Sequence, residues 1–346
     1  MHVDAMTGPL PLGRIGELAR RTQAVGFSGL LFTETGRTAY LNAAVASQAA
    51  PGLELSTGVA VAFPRSPFVT AATAWELAEA TGGKFRLGLG TQVRRHVVGR
   101  YGVAFERPGP RLRDYVLAVK ACFSAFRTGT LDHRGEFYQL DFITPQWSPG
   151  PLDVPDPKVD VAAVNPWMLR MAGEVADGVH IHPIAEPGYI SRHALPNIAD
   201  GAAKADRGTS DIAVIVPEMT IVGDSDSDRD AQRDRVRASL AFYASTPNYA
   251  FIFDEAGFEG TTARVREKQK AGDFAGMAAQ ITDEHVGVFA TESSWDGLAD
   301  ALTRKYGAVA TRLVLYNALD DALRDPERLE RYGEVARRIR RTSQAS

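Results

Sequence analysis

The stretch FRLGLGTQVRRH, residues 85 to 96, ends an apolar run in Gly88, Leu89 and Gly90 and continues into Thr91, Gln92, Arg94, Arg95 and His96. Glycines at a strand end let backbone amides approach an anion, and arginines add charge-assisted hydrogen bonds. The dinucleotide fingerprint G-x-G-x-x-G fails, because Val93 stands where its third glycine belongs. Three readings stay open: a glycine strand end packed closely by a neighbour, an anion site helped by Arg94 and Arg95, or a solvated loop. A second stretch, VAAVNPWMLRMAGEVADGVHIHP, turns at Asn165 and Pro166 into a helix. Free amides at a helix start attract an anion, although an ordinary strand-to-helix turn has the same pattern. His180 and His182 share one face of a strand. A metal would need further ligands, and none follows by spacing. His182 is nearer the strand's end and suits proton chemistry better, with a hydrogen-bonded core histidine as the plain alternative. Glu34 ends another apolar run, where a carboxylate acts as general acid or base if burial raises its pKa, or simply caps the next helix. His96 divides in the same way between acid–base work and a loop surface. No G-x-S-x-G, H-E-x-x-H or P-loop pattern occurs.

The elements that must hold these residues repeat as short apolar run, loop and amphipathic helix. MHVDAM, GLLFTE, LELSTGVAVAF and KFRLGLG read as four strands. Residues 12 to 25 place Ile15, Leu18, Ala19 and Thr22 at helical spacing before Gly26. Ser66 and Pro67 read as N-cap and first-turn proline of a helix carrying Phe68, Ala71, Ala72 and Trp75. VDVAAV, DGVHIHP, IAVIVPEMTIVG and TRLVLYN add four more strands. Residues 128–157 and 226–290 interrupt the rhythm as insertions, the first hairpin-like and the second helical and charged. Parallel strands joined by helices in eight units predict an α/β fold, a (β/α)8 TIM barrel spanning residues 1–346 as one domain; a doubly wound open sheet is the alternative. In such a barrel the strand C-termini form the active face. Glu34, the segments 58–63 and 90–96, Asn165, His182, Tyr316 and Asn317 all fall there. Phe242, Tyr243, Tyr249 and Phe251 of the second insertion are pocket liners or simply its own packing.

Composition narrows the function. The chain has 346 residues, a net charge of -3, 45% apolar and 23% charged residues. No basic half exists to coat nucleic acid. No apolar run reaches membrane-spanning length. Cys122 is the only cysteine, which excludes an internal disulfide and fits a reducing cytoplasm.

Together GFSGLLFTE, LSTGVAVAFPRSPFVTAATAWELAEATGGKFRLGLGT, RYGVAFERPGPRLRDYVLAVKACF, HRGEFY and VAAVNPWMLRMAGEVADGVHIHP resemble the luciferase-like monooxygenase superfamily, most closely its branch using the deazaflavin coenzyme F420. The segments lie in order across about residues 26 to 183. The resemblance implies a bulge with a non-prolyl cis peptide at Gly58 and Val59, behind the deazaflavin ring. It implies that Gly90, Thr91 and Gln92, and then Ala162, Ala163, Val164 and Asn165, hold the cofactor tail. Arg94, Arg95 and His96 would add charge for the tail. The chain departs from the pattern where some relatives carry a histidine after the strand-two acid, here Thr35, and a glutamate after the glycine loop, here Val93. The proton donor is therefore not carried over, and Glu34, His96 and His182 stand as candidates.

The expected activity is hydride transfer between coenzyme F420 and a small organic substrate: an imine, alkene, alcohol or carbonyl compound. An FMN-dependent monooxygenase is the alternative within the family, and a cofactor-free ligand-binding barrel the alternative outside it. The expected setting is cytoplasmic, with a small-molecule substrate, no metal, no nucleic acid, no membrane, and room for a homodimer.

Overall fold

The computed structural model describes residues 1–320 and 322–345. Eight parallel strands close a barrel: β1 (His2–Thr7), β2 (Gly29–Phe32), β3 (Glu54–Thr57), β4 (Phe85–Gly90), β5 (Lys158–Ala162), β6 (Gly178–His180), β7 (Ala213–Val222) and β8 (Arg312–Leu315). Each pairs with the next, and β8 returns to β1 with Leu313 opposite Val3, so the ring has no free edge. The fold is the α/β TIM barrel that the alternation predicts.

The pleat sorts the side chains. Val3, Ala5, Leu30, Phe32, Leu87, Leu89, Val159, Val161, Val179 and Val216 face outward into the main core shared with the helices. Their alternating neighbours face the lumen. Near the mouth these are Met6, Leu31, Ile215 and Val314, which form a second apolar layer. Deeper in the lumen the layer is charged. Arg312 donates to Asp4 through Nε (2.8 Å) and Nη2 (2.9 Å), and Nη2 also reaches Glu54 at 2.5 Å. Arg86 grips Asp160 in the same two-pronged way, at 2.8 and 2.6 Å. Asp4 and Asp160 are fully buried. A single charge buried there would carry a large desolvation cost; the bidentate pairing offsets it.

β3 does not run on as one strand through residue 63. It stops at Thr57, and Ala60–Val61 resumes the ladder against β4. Ser56 lies opposite Arg86 and Ala60 opposite Leu89, so one extra residue is bulged out between them. The peptide between Gly58 and Val59 in this bulge is cis.

The helices follow their local signals. Ser66 caps Pro67–Ala80 by accepting from the Val69 amide. The helix Leu12–Ala24 buries Ile15, Leu18, Ala19 and Thr22. The first insertion is a small hairpin, with Arg134 opposite Gln139, held onto the helix Pro108–Thr128. Asp114 of that helix accepts from the Tyr138 amide (3.0 Å) and contacts His133 Nε2 (2.7 Å). The second insertion is helical and begins with Asp226–Ala244. The segment Ala290–Ser293 then pairs with the far half of β7, an addition the sequence pattern does not show. No helix among the described residues is long and apolar enough to cross a membrane.

Gly88 and Gly90 face the lumen. A Cβ on Gly88 would lie 2.0 Å from the Thr57 carbonyl oxygen and 2.7 Å from His180 Nε2. A Cβ on Gly90 would lie 2.7 Å from Val59 Cγ2. These glycines are spaces into which the bulge fits. Gly88→Ala is therefore expected to cost about 1–3 kcal/mol or more, as overpacking of a close-packed core does. Gly13→Ala, on an exposed helix face with nothing within 4 Å, should be neutral or slightly stabilising. Denaturation midpoints of the two variants check this; equal midpoints would contradict it.

Candidate active site at the barrel mouth

The bulge, β4 and β5 bring several expected residues together. Gly58 packs on Leu31, Val59 fills the space left by Gly90, and Ala162 lies beyond, 3.7 Å from where a Gly90 Cβ would sit. Thr57 seals the bulge to β4 by donating from Oγ1 to the Gly88 carbonyl at 2.7 Å.

Beyond β4 the chain turns at Gln92, whose φ of 56° is left-handed. The Thr91 hydroxyl donates to the Gln92 carbonyl, and the Gln92 side chain accepts from the Val93 amide. A helix, Arg94–Tyr101, then begins at once, where the sequence suggested only loop. It buries Val97 alone and has no side-chain N-cap, so neither periodicity nor capping announces it. Its one local signal is Gly102, left-handed at φ 67°, closing it. Arg94 donates to the Phe105 carbonyl at 3.0 Å, turned to the following loop. Arg95, His96 and Arg100 line a shallow cleft on this helix.

At the end of β5, Ala162 and Val164 are half-buried and Ala163 is buried. Asn165 is exposed and caps Pro166–Val175 by accepting from the Met168 amide at 3.0 Å. Its side chain is thereby committed to the helix, whose first turn follows the end of β5, the strand beside β4. Tyr189 donates to the Val164 carbonyl and steadies the turn.

The three proton-donor candidates lie in different surroundings. Glu34 is buried, with both oxygens engaged: Oε1 with Arg65 Nη2 at 2.6 Å, and Oε2 with Arg65 Nη1 at 2.9 Å and the Val61 amide at 2.8 Å. It ties β2 to the segment after the bulge. Arg65, 31 residues away in sequence, carried no signal of this pairing. His96 sits on the outer helix, half-buried. His182 is half-buried two residues past β6, and its Nδ1 accepts from the Ile184 amide at 3.3 Å. Burial pushes its imidazolium down to about 3, so it is neutral near pH 7. Two rings from the second insertion cover it: Tyr249, with centroids 4.1 Å apart, and Tyr243 at 4.8 Å. The Tyr243 hydroxyl is hydrogen-bonded to that of Tyr316, just past β8. Phe242, by contrast, is largely exposed, and Phe251 packs toward Tyr189.

His180 is separate from this cluster. It faces the charged lumen layer, with Nε2 3.9 Å from Asp160 Oδ2 and without a hydrogen-bond partner. Burial pushes it down to about 4. No group of three or more His, Cys, Asp or Glu among the described residues is placed to hold a metal ion.

The family model described as luciferase-like monooxygenase matches residues 1–312. An uncharacterized protein of Mycobacterium tuberculosis is 33% identical over 307 residues, 88% of this chain and 90% of that protein. The 5,10-methylenetetrahydromethanopterin reductase of Archaeoglobus fulgidus is 25% identical over 266 residues, 76% of each chain. The structure of the coenzyme F420-dependent tetrahydromethanopterin reductase from Methanopyrus kandleri superposes with a TM-score of 0.79, covering 99% of both chains at 18% identity.

The buried histidine gives a stability signature. His180 titrates near 6.5 when unfolded and near 4 when folded, so the unfolded chain binds the extra proton between these values. Its contribution is complete above pH 6.5 and is lost as pH falls toward 4, at up to about 1.4 kcal/mol per pH unit. His180→Gln should flatten the decline in stability between pH 6.5 and 5. Denaturant titrations across that range measure it, and an unchanged slope would refute the assignment.

Proposed function

The chain belongs to the luciferase-like monooxygenase family, and on that premise we propose that this oxidoreductase uses coenzyme F420, transferring a hydride to or from a small organic substrate at the barrel mouth. The observation that carries the reading is the convergence of the Gly58 and Val59 bulge with Gly90 and Ala162, beside a helix bearing Arg95, His96 and Arg100. Among the described residues these three cationic or protonatable side chains have no carboxylate partner within ion-pair distance. With the start of Pro166–Val175 on the adjacent strand end, they form a donor set for an anionic tail. That chemistry fits the phosphate-bearing tail of a deazaflavin or of FMN. The reductase relatives favour the deazaflavin.

When bound, the deazaflavin supplies or accepts the hydride at a ring carbon. The chain's own residues do the rest. Glu34 and Arg65 pin Ala60–Val61 to β2 and so hold the bulge in place. Thr57 fixes its other side to β4. On this reading the tail would run along the backbone of Thr91, Gln92, Ala163 and Val164, with Arg95, His96 and Arg100 as its charge complement. The rigid mouth then orients cofactor and substrate, which is the larger part of what a hydride-transfer protein contributes.

Titration of the purified chain with coenzyme F420 and with FMN tests this. Tighter F420 binding is expected. Replacing both Arg95 and Arg100 by Ala should raise its dissociation constant about tenfold or more, with more salt-independent binding remaining. Tight FMN binding without F420 binding would move the protein to flavin monooxygenase chemistry. Binding of neither would leave a cofactor-free ligand-binding barrel.

A further inference from the structure

The expected acids leave the proton at the mouth unassigned. Glu34 has its oxygens occupied by Arg65 and the Val61 amide. His182 is neutral, with Nδ1 already accepting a hydrogen bond. His96 lies on the outer helix.

Beside His182 stand two hydroxyls bonded to each other, those of Tyr243 and Tyr316. Tyr316 follows β8 directly, and its amide donates to the Glu218 carbonyl at 2.9 Å. Its ring packs on the lumen layer of Met6, Leu31, Ile215 and Val314. Leu31 of that layer is also the side chain against Gly58, so the pair and the bulge border the same apolar floor. Tyr243 arrives from the end of Asp226–Ala244 and packs edge-on against His182. Both tyrosines are half-buried, and the Tyr243 ring packs against His182 and Phe242. In such a pair one O–H donates to the other oxygen, and the acceptor's own hydrogen is left polarised for a third group.

We propose that the hydroxyl pair of Tyr243 and Tyr316 binds the heteroatom of a carbonyl or imine substrate and supplies its proton. This rests on the oxidoreductase reading of the same mouth. Hydride from the reduced cofactor forms a C–H bond at the substrate carbon. The C=O or C=N π pair moves to the heteroatom, which takes the tyrosine proton as the O–H bond breaks. The substrate is reduced by two electrons and the cofactor oxidised by two. The tyrosinate, hydrogen-bonded by its partner hydroxyl, regains a proton from water. Burial raises both hydroxyls above the ordinary tyrosine value, so the pair is fully protonated at neutral pH before the step.

The test uses 4-nitrophenolate, an oxyanion probe whose visible band shifts when it accepts a hydrogen bond. Binding is measured by calorimetry on the full chain, alone and with whichever cofactor the titration selects, and the band shift on the chain alone. The wild type should bind the probe with a shifted band. Tyr316→Phe and Tyr243→Phe keep each ring and should each weaken binding roughly ten- to hundredfold with loss or reduction of the shift. The double variant should be no weaker than the more affected single, since the pair acts as a unit. Tyr138→Phe, in the first insertion, should bind as wild type. Unchanged melting temperatures identify the Phe variants as folded; if one is not, the other carries the comparison. No binding by the wild type, or wild-type binding and band in both single variants, would overturn the proposal. Cofactor binding without phenolate binding sinks the tyrosine pair alone, whereas phenolate binding without cofactor binding sinks the oxidoreductase reading.

Discussion

The barrel depends on the ion pairs that cross its lumen. Arg312 joins β8 to both β1 and β3 through Asp4 and Glu54, and Arg86 joins β4 to β5 through Asp160. Asp4 and Arg312 stand 308 positions apart, so their bond closes the ring between the first strand and the last. Charges with so little water around them tolerate few alternatives. A strand slipped by one residue would turn its charge into the apolar shell outside and leave its partner unpaired. The layer therefore specifies register more than it adds stability. It also makes the lumen polar below and apolar above, and the apolar layer at the mouth is where the site begins.

That site is shaped by a mismatch between two strands. β3 carries one more residue than β4 can pair, and the excess is pushed toward the lumen at Gly58 and Val59. β4 receives it because Gly88 and Gly90 have no side chains. Glu34, Arg65 and Thr57 then hold the displaced backbone from both sides. Bulges near active sites commonly re-aim the chain in this way. Here the bulge brings three strand ends into contact and leaves Leu31 as the floor between it and the tyrosines.

The insertions contribute unequally. The first is clamped to Asp114 of the helix Pro108–Thr128. The second leads into Ala290–Ser293, which pairs with β7, and sends Tyr243 and Tyr249 back over His182. A common barrel frame thus receives its individual chemistry from the loop after one strand, as expected where rigid strands carry variable loops.

The sequence by itself determined the barrel and the family, because both rest on local patterns. Strand and helix periods, the Ser66 and Asn165 caps, and the ordered motifs of residues 26 to 183 are readable within short windows. The cis bond at Gly58 and Val59 was legible only through the resemblance. The helix Arg94–Tyr101 was hidden because it buries one residue and lacks a capping side chain. Tertiary structure decided what each polar group does. Whether Glu34 is free or bound depends on Arg65, and whether Gly88 serves a phosphate or a neighbouring carbonyl depends on Thr57. The partnership of Tyr243 with Tyr316 spans 73 positions. Such contacts are made by the closure of the ring, which no local period encodes.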